Sequence, residues 1–103
     1  GFCPLGPAMR TLDGIDPDNL TIALTLNGQL RQQANTGKMI FGCAQLIHYI
    51  AQTITLSPGD VILTGTPEGV IQGYPEDRRR WLQPGDEMEV VIEGLPPLRN
   101  IIA

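Results

Sequence analysis

Metal-binding and redox side chains are scarce in this sequence: one histidine and two cysteines in 103 residues. Cys3 and Cys43 stand far apart and form no C-x-x-C spacing. Neither a zinc site nor a disulfide scaffold is supported. Cys43 reads as a small apolar residue in a core, and a reducing, cytoplasmic location is expected. Positive charge is also short, with 7 Lys and Arg against 11 Asp and Glu, for a net charge of −4. The one basic cluster, Arg78-Arg79-Arg80, follows Glu76-Asp77 and reads as a solvated loop. A nucleic-acid partner lacks its electrostatic footprint.

Other absences narrow the function further. No apolar run reaches the roughly 18 residues a membrane-crossing helix needs, so no membrane partner is expected. Neither G-x-G-x-x-G nor a P-loop occurs, which argues against nucleotide cofactors. Ser57 has no G-x-S-x-G context, so a serine triad is unsupported. His48 lies between Ile47 and Tyr49 with no acid three or four residues away. It reads as a surface residue rather than a general base.

What is present is organised by turns. Asp16-Pro17-Asp18-Asn19 is a strong turn signal after a Gly/Pro-rich lead-in, in which a short strand is expected near Ala8–Thr11. Leu20–Leu26 alternates at period two and predicts a strand with one buried face. Asn27-Gly28 favours a type I′ hairpin. Gln29–Ala34 then returns as a polar strand near an edge or solvent. Ile40, Cys43, Leu46, Ile47, Ile50 and Ile54 recur at spacings of three and four, predicting a helix over 42–53 with one apolar stripe. Residues 72–83 are polar and predict a surface loop, followed by strands over 87–93 and 98–102. The class is mostly β with one helix (α+β), in a mixed, curved sheet.

The most informative stretch is Leu56-Ser57-Pro58-Gly59-Asp60-Val61-Ile62-Leu63-Thr64-Gly65-Thr66-Pro67-Glu68-Gly69-Val70. Pro58-Gly59 suits a type II turn, with Gly at positive φ. Val61-Ile62-Leu63 reads as a strand buried on both faces. The run turns polar at Thr64, and Gly65 and Gly69 allow close approach by a ligand or by another backbone. A strand ending in hydroxyls and small residues suits a substrate-contacting loop. Leu82-x-Pro84-Gly85-Asp86 repeats Leu56-x-Pro58-Gly59-Asp60, but the flanks do not match. The turn device is used twice, without a structural repeat.

These residues resemble the fumarylacetoacetate hydrolase family. P-G-D-V-I-L-T-G-T-P-E-G-V looks like its C-terminal signature. Phe2-Cys3-Pro4-Leu5-Gly6-Pro7, Asp16-Pro17-Asp18-Asn19-Leu20, Asn27-Gly28, Arg31-Gln32-Gln33, Asn35-Thr36, Met39-Ile40-Phe41 and Leu82-Gln83-Pro84-Gly85-Asp86 agree in order across nearly the whole chain. Gly1-Phe2-Cys3-Pro4 and Gly94-Leu95-Pro96-Pro97-Leu98 look most like the branch that holds the decarboxylase/isomerase of homoprotocatechuate breakdown. The resemblance implies the family's β-sheet roll, with residues 1–103 as the C-terminal portion of one catalytic domain. It implies isomerisation, decarboxylation or C–C hydrolysis of small 2-oxo or β-diketo dicarboxylic acids in aromatic-compound catabolism. The alternative is a noncatalytic β domain or assembly segment. A homo-oligomer is expected.

The resemblance also implies Mg²⁺ or Mn²⁺, held by an E-x-E pair and an Asp upstream of the F-x-P-x-G-P segment, with a substrate-binding Lys after them. None of these ligands is in this chain, and the upstream portion is expected to supply them. Glu87-Met88-Glu89 has the E-x-E form, but it lies in the terminal-strand context and reads as two solvated carboxylates. Lys38 lies in the Asn35–Phe41 motif and does not replace the family lysine. No catalytic residue is assigned. Thr66 aligns with the G-T-x-x-G threonine that contacts substrate; a hydroxyl bonded to its own backbone is the other reading. Gly65, Pro67, Glu68 and Gly69 complete the candidate loop, and Pro4, with Leu5 and Gly6, is expected to line the site.

Overall fold

The computed structural model describes residues 3–103; the expectations placed on Gly1 and Phe2 fall outside them. Four strands form one antiparallel sheet: β1 (Thr21–Leu26), β2 (Gln29–Asn35), β3 (Glu87–Ile92) and β4 (Leu98–Ile101), in the order β2-β1-β3-β4. A single helix, α1 (Cys43–Ala51), follows β2. The α+β class holds, and no parallel pairing occurs among the described residues.

The β1–β2 hairpin follows from Asn27-Gly28. Both residues take positive φ, 50° and 74°, which is the twist-matched turn that Asn and Gly alone adopt cheaply. The register has one irregularity. Leu24 faces Gln32 and Thr25 faces Leu30, which leaves Arg31 as the extra residue of a β-bulge.

Cross-strand partners share a face. Ile22 pairs with Ala34 and Ile92, Leu24 with Gln32 and Val90, and Leu26 with Met88. This is the apolar face, and Leu26, at 5 % exposure, is its most buried residue. Thr25, Glu89 and Arg99 occupy the opposite face, where Glu89 and Arg99 are paired across β3 and β4 and form an ion pair.

The two Pro-Gly-Asp turns are the same device. Asp60 Oδ2 accepts the Ser57 amide at 2.7 Å, and Asp86 Oδ2 accepts the Gln83 amide at 2.8 Å. Gly59 and Gly85 both take positive φ, 99° and 90°. Asp86 does more. Its Oδ1 accepts from Asn27 Nδ2 at 2.8 Å and Arg80 Nη2 at 2.9 Å. It therefore ties the second turn to the hairpin, at 6 % exposure.

Several expectations are corrected. Val61-Ile62-Leu63 is not a buried strand: it joins no ladder, and Val61 and Leu63 are 58 % and 71 % exposed. An apolar run signals a need for burial, but a strand also requires hydrogen-bonding neighbours, and none of the described residues supplies them. Ala8–Thr11 forms no strand either; Arg10 instead reaches the Gly94 carbonyl at 3.2 Å. Of the expected helical stripe, Cys43, Leu46 and Ile50 on α1 are half-buried, while Ile47 is 49 % exposed, and Ile40 and Ile54 lie outside α1 and are exposed. The Arg78–Arg80 loop is exposed but not merely solvated. Arg79 donates to the Tyr74 and Gln72 carbonyls, and Arg80 pairs with Asp86.

Candidate substrate groove

The Thr64–Gly69 loop crosses the apolar face of the sheet on the β2 side. On one side of it lies a groove of about 670 Å³. Thr64, Gly65, Thr66, Pro67 and Glu68 form one bank, and Gln33, Asn35, Thr36 and Lys38 contribute to the other. Met39, Phe41 and Leu46 supply an apolar wall. On the other side lies a second groove of about 390 Å³, lined by Leu24, Leu26, Arg31, Gln32, Gly69 and the Val70–Trp81 loop.

The first groove exists because its banks are held locally. Asn35 Oδ1 accepts the Gly37 amide at 2.8 Å and caps the short 3₁₀ turn over Thr36–Lys38. The Thr36 hydroxyl accepts the Leu20 amide at 2.8 Å, tying that turn to the start of β1. Asp18 Oδ1 accepts the Cys43 amide at 2.9 Å and caps α1, whose own N-cap, Gly42, has no side chain. Gln45 reaches back to the Gly42 amide at 3.0 Å.

Four of the residues expected at the site, Gly65, Thr66, Pro67 and Glu68, line one groove. Gly69 lines the other, behind the loop. Pro4 is exposed and lines neither groove; Leu5 and Gly6 are exposed as well. The Thr66 hydroxyl is not bonded to its own backbone. It accepts from Gln32 Nε2 at 3.0 Å. Glu68 is exposed on the rim.

Lys38 shares the groove with Thr66, a proximity that sequence alone did not suggest. The only available signal was that Asn35–Phe41 and the T-G-T-P-E-G loop belong to the same resemblance. Gln32 was also missed, because a polar residue on an edge strand reads as solvated. His48 is exposed, and its side-chain hydrogen-bond partner among the described residues is Gln52 at 3.1 Å. Burial, with Asp18 nearby, pushes the Cys43 thiol up, so it is a packed residue and not an activated nucleophile.

The chemistry of this lining suits an oxyanion ligand: the Thr66 hydroxyl and the Lys38 ammonium beside apolar carbon. It does not suit a divalent cation. Among the described residues no three His, Cys, Asp or Glu side chains cluster as metal ligands. Glu89 is engaged by Arg99 and, with Glu87, lies on the face opposite the groove. No helix among the described residues is long and apolar enough to cross a membrane.

The fold is shared with known proteins. The chain is 47% identical over 100 residues to the mitochondrial oxaloacetate tautomerase FAHD2B of Bos taurus, covering 96% of this chain and 31% of that protein. It thus spans about a third of that relative's length. The fumarylacetoacetate hydrolase of Exiguobacterium antarcticum superimposes with a TM-score of 0.93 at 39% identity, over 99% of this chain and 36% of that one. The maleylpyruvate hydrolase of Sphingobium sp. SYK-6, in complex with manganese(II) and pyruvate, does so with a TM-score of 0.86 at 35% identity, over 99% and 36%. The fumarylacetoacetate hydrolase C-terminal family model matches residues 1–103, and the chain belongs to that family.

Proposed function

We propose that this chain supplies the substrate-contacting loop of an enzyme that acts on small 2-oxo acids. The observation that carries the reading is the shared groove of Thr66 and Lys38, with its apolar wall of Met39, Phe41 and Leu46. A 2-oxo dicarboxylate concentrates its charge on oxygen atoms and carries a short carbon body. A hydroxyl and an ammonium bind the oxygens, and the wall takes the carbons. When a 2-oxo acid enolises or cleaves beside its ketone, negative charge moves to the carbonyl oxygen. Fixed donors near that atom lower the barrier.

Two relatives support this substrate class. The bovine protein is named for oxaloacetate tautomerisation, and the Sphingobium structure holds pyruvate. Within the class, the finer proposal is isomerisation, decarboxylation or C–C hydrolysis of dicarboxylates in aromatic-compound catabolism. A divalent ion, Mg²⁺ or Mn²⁺, belongs to the proposal for the full-length polypeptide, supported by the manganese in the Sphingobium structure. The residues of this segment do not form its site, and no step is assigned to it. Homo-oligomerisation is also proposed, supported by exposed apolar side chains such as Ile40, Tyr49 and Ile101. Light scattering that shows only a monomer overturns that part.

The test is turnover of oxaloacetate (enol to keto) and of maleylpyruvate by a full-length polypeptide carrying this segment, with and without Mn²⁺. Turnover of either acid that falls in Thr66→Val supports the reading. No turnover, together with no pyruvate binding, overturns it in favour of a noncatalytic β domain.

A further inference from the structure

The geometry points to Gln32 as the positioning residue of the Thr64–Gly69 loop, one that fixes Thr66 as a hydrogen-bond donor toward the groove. The inference rests on the oxo-acid reading above and says how its loop is held.

Three oxygens surround Gln32 Nε2: Thr66 Oγ1 at 3.0 Å, the Pro67 carbonyl at 2.8 Å and the Glu68 carbonyl at 3.2 Å. Carbonyl oxygens only accept, so the side-chain amide must present its nitrogen to them; the chemistry decides the orientation. One NH₂ group thus gathers three consecutive loop residues. The Thr66 oxygen spends a lone pair on Gln32, which leaves its own hydrogen for another acceptor. Thr66 lines the larger groove and Gln32 the smaller one. The amide therefore grips the loop from behind, and the hydroxyl hydrogen is free for the ligand side. A carboxylate, carbonyl or enolate oxygen is the partner that such a donor selects.

A second, independent feature aims Gln32. Arg31 is the extra residue of the β2 bulge, and bulges re-aim the neighbouring side chain. At the same bulge the Arg31 carbonyl meets Gly69, which packs against it so closely that a Cβ would overlap it. The loop is anchored to one bulge at two points, by the Gln32 amide and by the bare Cα of Gly69. Gln32 does not itself touch the groove ligand, so its role is positional.

The experiment is a double-mutant cycle on pyruvate binding by the Mn²⁺-loaded full-length polypeptide, using Gln32→Met, Thr66→Val and the pair. Each single substitution is expected to raise Kd about ten- to a hundredfold, as for loss of a hydrogen bond to a charged group. The double variant should bind about as well as the worse single one, because both remove the same donor. A role limited to general stability predicts multiplied losses instead, and that result overturns the inference. Gln32→Glu keeps the size but cannot donate when ionised. It is expected to match Gln32→Met, and it decides the matter if Gln32→Met does not fold. The side-chain amide resonance of Gln32 should also shift in ligand-free Thr66→Val. Unchanged pyruvate affinity in either foldable Gln32 variant overturns the inference alone. No pyruvate binding by the unsubstituted protein overturns the oxo-acid reading and the inference with it.

Discussion

Gly69 lies against the backbone carbonyl of Arg31, and a methyl group there would overlap that oxygen. Its φ of +103° is also one that side-chain-bearing residues avoid. Two constraints thus act on one residue, and both concern how the loop meets the bulge on β2. Gly69→Ala is expected to lift the loop off the sheet at a cost of about 1–3 kcal/mol. Amide exchange should quicken at Thr66, Glu68 and residue 69 while the β1–β3 ladder stays protected. Unchanged exchange at those amides would show that the close packing is not a constraint.

Thr66 is expected to act through its hydroxyl alone. Thr66→Ser keeps that group, and Thr66→Val loses it at nearly constant volume. The valine variant should lose about 1.5–3 kcal/mol of oxo-acid binding, with the thermal midpoint of the serine variant as reference. Equal kcat/KM for the two variants removes Thr66 from the site.

Asp86 gives a pH dependence of definite sign. The hydrogen bond from Arg80 holds its carboxyl down, followed by those from Asn27 and the Gln83 amide, so that it falls from 3.8 to about 2. The folded chain therefore binds fewer protons at this site than the unfolded chain. Its contribution is full above the unfolded value and fades as pH drops from 3.8 toward about 2. Asp86→Asn should lower the thermal midpoint at neutral pH. Its midpoint should also change less than the parent's over that acid interval. Parallel pH profiles for the two proteins would contradict the assignment.

Asp18 caps α1 from a distant turn, since its carboxylate meets the Cys43 amide where Gly42 has nothing to offer. Asp18→Ala is expected to cost about 1 kcal/mol, as for loss of an N-cap. Circular dichroism should show reduced helicity. An unchanged denaturation midpoint would mean that water replaces the cap.

The two apolar sides of α1 should respond differently to charge. Leu46 is half-buried on the groove wall, whereas Ile47 is 49 % exposed. Leu46→Asp should destabilise by about 1–3 kcal/mol more than Ile47→Asp, because only the former buries an unpaired polar group. Urea midpoints in the reverse order would restore Ile47 to the core.

Local chemistry made much of the fold legible in the sequence. Asn27-Gly28 dictated its hairpin because few residue pairs accept two consecutive left-handed conformations. Pro58-Gly59-Asp60 and Pro84-Gly85-Asp86 dictated their turns, since each Asp bonds an amide three residues back. The helix over 42–53 was written in its spacing. The loop Thr64–Gly69 and its Thr66 were also marked, by hydroxyls and glycines at the end of an apolar run.

What tertiary structure alone decided involves partners far apart in the chain. Gln32 meets Thr66 across 34 residues, and Asn27 meets Asp86 across 59. A polar residue on an edge strand looks the same in sequence whether it faces water or clamps a loop. Arg80 looked solvated although its partner, Asp86, lies only six residues on, because the fold of the intervening turn decides that they meet. Val61–Leu63 looked like a buried strand because hydrophobicity reports what a segment tends to bury, while a strand also depends on neighbours that its own sequence does not specify. Composition and turn chemistry act within a few residues, so they determine the elements. The side-chain pairs that shape the groove depend on register and on the bulge at Arg31, which arise only once the sheet is assembled.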